Sequence, residues 1–418
     1  MPETKAIGLD RFDVAIAGGG FAGRTLALAL AKFAPDGFRV ALVDTEPCRT
    51  GMSVVEDARA LALSAATRNL LSTLDLWAEL EPVAQAVGAI EVTDSALNDA
   101  FRHYFLGFDA EFKAAGANAF IVEHGALASL LGEAVAKTEA ITIFAPETVV
   151  DYEPDAFRAT VELGGGKRLE TSLLVAADGK RSRLRERAGI KCVGWSYPQM
   201  GIVTTVAHAR PHHGKAIQHF LPSGPFAILP LKGNRSSIVW TEERARGEAI
   251  MALDEMSFLA ELTTRFGHRL GEIAVAGPRQ SFPLDMQIAR SFTADRLALI
   301  GDAAHVVHPL AGQGLNIGMR DVAALTETIV DATRLGLDVG GATILERYAR
   351  WRRFDSAFSA AVMDGLNRLF SNDSAPLRIL RDFGLGLVDR APALKRFLVS
   401  EAAGATGTPP HLLKGERL

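Results

Sequence analysis

Cysteine is nearly absent from this chain: Cys48 and Cys192 are the two thiols in 418 residues. Two in a chain of this length make no disulfide framework, so they read as ordinary part-buried thiols in a reducing compartment. Long hydrophobic runs are missing as well, since no uninterrupted apolar stretch approaches the ~20 residues of a membrane-spanning helix. The opening Met-Pro-Glu-Thr-Lys-Ala lacks a signal-peptide pattern. A cytoplasmic protein is expected, at most peripheral to the inner face of a membrane. Neither charge sign dominates: 45 Lys and Arg against 49 Asp and Glu leave −4. That gives no long-range reason to bind nucleic acid. No repeats and no low-complexity linker occur. His305 with His308, and His212 and His213 with His219, have no acids or Cys in a ligand pattern nearby, so no metal is expected.

What the chain does have is a hydrophobic content of 48%, enough for large buried sheets, and a length that implies two domains or one elaborated α/β domain. Its organising stretch runs from Arg296 to Asp321. Leu297 to Ile300 is a short apolar run bounded by Gly301, which reads as a buried parallel strand. Asp302 follows at the strand end, where open α/β sheets hold ligands. Pro309 stiffens the ensuing loop, and Gly312 and Gly314 permit positive φ or a close approach of ligand to backbone. From about Leu315, Ile317, Val322, Leu325 and Ile329 recur at helical spacing. The free N–H groups of that helix start would face whatever occupies the glycine loop. This physics asks for a nucleotide or a flavin without choosing between them.

A second station lies at the N-terminal end. Asp13 to Ala17 reads as a strand, Gly18-Gly-Gly20-Phe-Ala-Gly23 as a turn, Thr25 to Phe33 as a helix and Arg39 to Val43 as the next strand, closed by Asp44. This is G-x-G-x-x-G in its full βαβ context. Gly18 makes the turn, Gly20 admits a pyrophosphate, Gly23 lets helix and strand approach, and Asp44 accepts from an adenosine ribose. The third station is Leu173 to Asp178-Gly179, another buried strand ending in an acid. Between the stations lie strand-rich pieces: Glu91 to Asp94, Phe101 to Phe108, a hairpin over Thr148 to Leu163, and an antiparallel sheet over Tyr197 to Trp240. The expected architecture is α/β: a Rossmann-like nucleotide-binding unit assembled from 1–75, 110–190 and 278–340, a second, antiparallel β-sheet unit inserted from 76–109 and 191–277, and a helical region over 341–418.

Several charged residues stay ambiguous on physics alone. Arg59, in Asp57-Ala-Arg59-Ala-Leu-Ala-Leu-Ser64, reads first as a surface helix charge. The run Lys180 to Arg187 is either a solvated helix face or a contact for a ligand phosphate. The basic and apolar mix of Arg347 to Arg353 and Phe383 to Leu398 is either helices covering the core or a surface turned to a membrane.

The three stations together resemble the FAD motifs of the para-hydroxybenzoate-hydroxylase-like class A flavoprotein monooxygenases. Within that family, His305-x-x-x-Pro309-x-Ala311-Gly-Gln-Gly314-x-Asn316-x-Gly318-x-x-Asp321 is similar to the signature of the ubiquinone-biosynthesis hydroxylases. So are Asp57-x-Arg59-Ala-x-Ala-Leu63-Ser64, Gly224 to Pro230, and the stretch around Arg347-Tyr348-x-x-Trp-Arg352-Arg353. The resemblance covers nearly the whole chain. It implies that Gly18, Gly20 and Gly23 take the FAD pyrophosphate, that Asp44, in place of the commoner Glu, takes the ribose, and that Arg59 sits near the flavin. Asp178 and Gly179 would serve FAD and the nicotinamide, and Asp302 the ribityl and pyrophosphate region. Gly312, Gln313, Gly314, Leu315 and Asn316 would line the isoalloxazine, with Pro309 over it beside the oxygen and substrate site.

The implied chemistry is ring hydroxylation of a polyprenylated phenol by O₂, through reduced flavin and a C4a-hydroperoxide, with NADPH, NADH or another reductant supplying electrons. No side chain need act as a nucleophile. Other ubiquinone-biosynthesis proteins and a bilayer surface are the implied partners. Hydroxylation of a small soluble phenol, and a flavin reductase that inserts no oxygen, are the competing readings.

Overall fold

The computed structural model describes residues 9–47, 57–94, 103–107, 119–307, 312–353 and 409–418. One eight-stranded sheet has a parallel heart. It contains β1 (Asp10–Ala17), β2 (Val40–Val43), β8 (Ile141–Phe144), β9 (Val149–Pro154), β10 (Ala159–Leu163), β11 (Arg168–Ala176), β18 (Thr293–Ala294) and β19 (Leu297–Leu299). The order along the sheet is β18-β19-β11-β1-β2-β8, with β10 and β9 joined to β11 as an antiparallel extension. β2 and β19 are wholly buried, as expected of parallel strands covered on both faces. Helix α1 (Phe21–Phe33) packs between β1 and the long C-terminal helix Gln313–Arg334, and buries eight of its thirteen residues.

The second sheet has nine strands and is almost wholly antiparallel. It comprises β5 (Ala89–Asp94), β6 (His103–Gly107), β12 (Cys192–His208), β13 (Lys215–Leu221), β14 (Gly224–Leu231), β15 (Arg235–Glu243), β16 (Ile273–Val275), β17 (Gln280–Ala289) and β20 (His305–Val306). Period-two alternation sends Ile202, Val206, Ile238 and Trp240 to one face, where they meet Phe258 and Leu262 of the helix Glu255–Phe266. The opposite face turns toward the first sheet. Strand β17 lies within the segment 278–340 yet hydrogen-bonds into this sheet, against β12. A small third sheet, β3 (Ala60–Leu63), β7 (Ala119–Glu123) and β4 (Gln85–Val87), fills the space between them.

The remaining helices used below are α2 (Ala65–Thr73), α3 (Trp77–Leu80), α4 (His124–Ala136), α5 (Arg183–Arg187), α6 (Arg244–Met251), α7 (Glu255–Phe266) and α8 (Gln313–Arg334). Residues 342–353 form α9, and His411–Lys414 form α10, whose Leu412 and Leu413 are buried beside α2 and α8. The stretch Phe383 to Leu398 lies outside the described residues. Among the described residues, no helix is long and apolar enough to cross a membrane.

Candidate functional site

The register of the first sheet brings the stations together. Ala17 pairs with Ala176 and with Val43, and Ala176 pairs with Leu299, all in parallel. The ends of β1, β2, β11 and β19 therefore lie side by side, followed by Gly18, Asp44, Asp178 and Gly301-Asp302. The approach is close enough to demand glycine. A Cβ on Gly18, at φ 111°, would sit 2.2 Å from the Ala177 carbonyl oxygen, and one on Gly23 would sit 1.9 Å from the Gly18 carbonyl. Gly20 differs, because a Cβ there would meet nothing within 4 Å. It faces open space at the start of α1, whose N-terminus has no side-chain cap and no acid in its first turn. The unmet N–H groups and the positive end of the helix dipole are a seat for an anion.

Asp44 closes β2 and lies against Gly19, with the Arg24 guanidinium 3.7 Å from its Oδ2. Arg59 is not a helix charge: it stands immediately ahead of β3, half exposed. The buried Asp57 holds its guanidinium at 2.9 and 2.6 Å. His124 Nδ1 lies 3.0 Å from the same carboxylate, and its ring meets Phe21 edge-on at 4.8 Å. Burial, and then the nearby Arg59 charge, lower the His124 pKa from 6.5 to about 4, against the pull of Asp57. The imidazole is therefore neutral at pH 7. Asp57 itself is pushed up by burial, but hydrogen bonds from Arg59 outweigh that and its pKa is lowered.

At the third strand end, Gly301 turns at φ 59° and donates its N–H to Asp321 Oδ2 at 2.9 Å. Asp321 is fully buried in α8 and is the hub of this corner. It also accepts from His305 Nε2 at 2.6 Å and from Arg352 Nε at 2.7 Å. Tyr348 Oη donates to the Leu299 carbonyl at 2.7 Å, so α9 grips the strand before the turn as well as the hub behind it. Asp302 is accessible to solvent, but dense protein surrounds its crevice. Burial raises its carboxyl pKa, opposed by His305 and Lys180.

The glycine loop enters α8 through Gly312, in the left-handed region at φ 64° and with no side-chain cap. A Cβ there would fall 2.9 Å from Ala62 Cβ. Asn316 spends its amide on structure: Nδ2 donates to the Ala62 carbonyl at 2.8 Å, and Oδ1 accepts from Ser64 N at 2.9 Å and Thr67 Oγ1 at 2.8 Å. It thus locks α8 to β3 and α2. Gln313 is buried, Leu315 packs against the core of the first sheet, and a Cβ on Gly314 would have Val307 Cγ2 as its nearest neighbour at 3.9 Å. Pro309, Ala311 and His308 lie outside the described residues.

These features fit FAD. Gly20 opens onto free space beside an uncapped helix start, Asp302 is exposed in a crevice, and Asp178 Oδ1 is buried with no hydrogen-bond partner. A long cofactor with a pyrophosphate, hydroxyls and a polar ring would meet each of them.

The basic run after Asp178 divides. Arg185 is buried and structural, with Nη1 donating to the Ala303 carbonyl at 2.9 Å and Nη2 to Lys180 O at 3.0 Å. Lys180 pairs with Asp285, and Arg187 with Asp151 at 2.6 Å. Arg181 and Arg183 are exposed. Sequence reasoning missed the Asp57–His124 support of Arg59 and the hub function of Asp321. The available signals were an acid two residues before Arg59 and a charged residue in the apolar middle of a helix.

Comparison with known proteins agrees with this geometry. A family model described as FAD binding domain matches residues 11–362. A ubiquinone hydroxylase, UbiL, of Rhodospirillum rubrum is 42% identical over 406 residues, 96% of this chain and 92% of that protein. The 3-demethoxyubiquinol 3-hydroxylase of Escherichia coli is 33% identical over 396 residues, 94% of this chain and 98% of that one. Among solved structures, p-nitrophenol 4-monooxygenase of Pseudomonas putida superimposes with a TM-score of 0.76 at 19% identity, covering 96% of this chain and 100% of that one. That likeness shows the fold.

Proposed function

This chain belongs to the FAD-binding-domain family and, within it, to the ubiquinone-biosynthesis hydroxylases, and from that premise we propose that it hydroxylates the aromatic ring of a polyprenylated phenol on the way to ubiquinone. The observation that carries the reading is the convergence of Gly18, Asp44, Asp178 and Asp302 at one end of one parallel sheet, facing the uncapped start of α8. Bound there and reduced by NADH or NADPH, FAD would supply the activation of O₂ and the transfer of one oxygen atom to the ring.

The chain's own contribution is seating and exclusion. Gly20 and the α1 N-terminus would take the pyrophosphate, Asp44 the ribose hydroxyls, and Arg59, freed from Asp57, a phosphate or the flavin edge. The N–H groups at the start of α8 would stabilise negative charge on the ring, as a dipole aimed where charge develops. Gly312, Gln313, Gly314 and Leu315 would form the ring's floor, and Asn316 would hold that floor in place. Pro309 is proposed beside the oxygen site. The face of the nine-stranded sheet opposite α7 would shield the reacting ring from water. We further propose that the first sheet and the nine-stranded sheet are the cofactor and substrate units, and that the protein works in peripheral contact with the bilayer and other proteins of the same biosynthesis.

The test is lipid extraction from cells lacking the gene, with mass spectrometry of the quinone pool. A prenylated phenol one oxygen short should accumulate as ubiquinone disappears, and purified protein should place label from ¹⁸O₂ in the product. An unchanged quinone pool would refute the ubiquinone substrate, and product without label would refute oxygen insertion.

A further inference from the structure

We infer that Arg24 is a specificity residue for the cofactor: with Asp44 it reads one hydroxyl of the adenosine ribose as donor and acceptor at once. The role depends on that ribose lying at Asp44, as proposed above. It goes beyond that placing, because a G-x-G-x-x-G turn asks for small residues and a helix start, not for a cation behind its last glycine.

Arg24 closes the first turn of α1, where its N–H donates to the Gly20 carbonyl at 3.0 Å. A cation at that end opposes the helix dipole, and the buried Nε has no hydrogen-bond partner. Both are costs to the free protein. What they secure is a guanidinium held from behind, since Nη1 donates to the Ala128 carbonyl of α4 at 3.2 Å. Nη2 comes to lie 3.7 Å from Asp44 Oδ2, too far for a hydrogen bond.

Asp44 is fixed as firmly. Its N–H donates to the Phe144 carbonyl at 3.0 Å, and its own carbonyl accepts from Glu147 N at 2.8 Å. Oδ1 accepts from Glu46 N at 3.4 Å. Oδ2 lies over Gly19, where a Cβ would come within 2.1 Å of it. Among the described residues nothing donates to Oδ2 and nothing accepts from Nη2. Neither atom is sealed off, and the two side chains keep 19% and 11% exposure.

A reachable acceptor and a reachable donor therefore stand 3.7 Å apart, one residue from the open approach at Gly20. An oxygen about 2.7 Å from Oδ2 and about 2.9 Å from Nη2 satisfies both. It must carry a hydrogen for the carboxylate and a lone pair for the guanidinium, which is the chemistry of a hydroxyl. An ether or carbonyl cannot donate, an ammonium cannot accept, and a phosphate would meet the charge of Asp44. The carboxylate alone would read donation; Arg24 adds acceptance.

The test titrates apoprotein with FAD and with its 2′-deoxyadenosine and 3′-deoxyadenosine analogues, following flavin fluorescence. Wild type is compared with Arg24→Met, Arg24→Lys and Asp44→Ala, with the apoprotein melting temperature as the control for folding. The readout is the ratio of FAD to deoxy-analogue affinity, which cancels any general effect of a lost charge on the pyrophosphate. Wild type should favour FAD over one of the analogues about 10- to 100-fold, equivalent to about 1.4–2.8 kcal/mol for a hydroxyl with two charged partners. Arg24→Met should cut that ratio about 5- to 10-fold, and Arg24→Lys, which keeps a cationic donor, should retain part of it. A ratio unchanged in folded Arg24→Met but abolished by Asp44→Ala would overturn the role of Arg24 and leave the ribose at Asp44. A ratio that survives Asp44→Ala, or a wild type indifferent to both analogues, would refute the ribose at Asp44 and the role of Arg24 with it.

Discussion

Replacing Asp321 by Asn is the most incisive perturbation of this fold. The two side chains are nearly isosteric, but the carboxylate is fully buried and takes three hydrogen bonds, from Gly301 N, His305 Nε2 and Arg352 Nε. An amide in the same place turns an N–H toward one of three donors and removes the negative charge from beside the buried Arg352 guanidinium. Removing one partner of a buried pair costs about 3–5 kcal/mol. For 418 residues, an unfolding entropy of about 2.1 cal/mol/K per residue amounts to ~0.9 kcal/mol/K, so the melting temperature should fall by about 3–6 °C. Differential scanning fluorimetry of apoprotein and FAD-loaded protein measures this. The drop should be larger in the loaded protein, because the Gly301-Asp302 turn loses the acceptor that fixes it. A shift below ~1 °C in both forms would refute the claim that Asp321 organises this corner. In the double variant Asp321→Leu with Arg352→Leu, part of the loss should return, since both members of the buried pair leave together. The pH dependence has a definite sign. Burial alone would raise the Asp321 pKa, but His305 and Arg352 reverse that and hold it below 3.8. Its stabilisation is therefore complete above that value and is lost as pH falls through the lower, folded-state pKa.

Other outcomes follow from the same geometry. Gly23→Ala should abolish FAD binding and destabilise the fold, because the new methyl must retreat from 1.9 Å to at least 3.0 Å from a backbone oxygen. Gly20→Ala should leave the apoprotein melting temperature unchanged, since nothing lies within 4 Å, yet lower FAD affinity at least ~10-fold by filling the approach of the pyrophosphate; equilibrium titration with FAD separates the two glycines. His124 stays neutral in the fold down to about pH 4, so an unfolded chain takes up a proton between pH 6.5 and 4 that the folded chain refuses. Apoprotein stability should decline across that window by at most about 3 kcal/mol, and His124→Phe, which retains the Phe21 contact, should flatten the decline in urea titrations at stepped pH. Asn316→Ala should cost about 2–3 kcal/mol, by unmaking three ties between α8, β3 and α2, and should broaden the flavin absorbance bands as the ring's floor loosens.

The stations were legible in the sequence because their logic is local. A buried strand, a glycine and an acid fall within a few residues of one another at Ala176 to Gly179 and Leu299 to Asp302, the Gly18 turn and Asp44 belong to one short βαβ unit, and the parallel registers agree with that reading. Where meaning depends on a distant partner, sequence reading ran out. Arg59 looked like a helix charge because nothing nearby says that β7, some sixty residues later, will pair with β3 and make that stretch a strand. The basic run after Asp178 stayed ambiguous because only the fold carries Arg185 under the Ala303 carbonyl while leaving Arg181 and Arg183 in solvent. Asp321 was a letter in a motif until Arg352 arrived from α9.

The interleaving of the first sheet also sets a schedule for making it. β11 is complete at Ala176 and β10 flanks its first half, but β19, which pairs with Leu174–Ala176 at its far edge, begins only at Leu297, 121 residues further on. At a ribosomal rate of about 5–20 residues per second, that apolar edge waits roughly 6–24 s before it is covered. No cofactor can shield it meanwhile, because Gly301-Asp302, the wall proposed for the flavin seat, is made by the same late segment. The newborn chain thus carries an unpaired, buried-type strand edge through much of its synthesis. Yield of this flavoprotein in a host cell should be governed by translation speed and chaperone supply before riboflavin supply has any say.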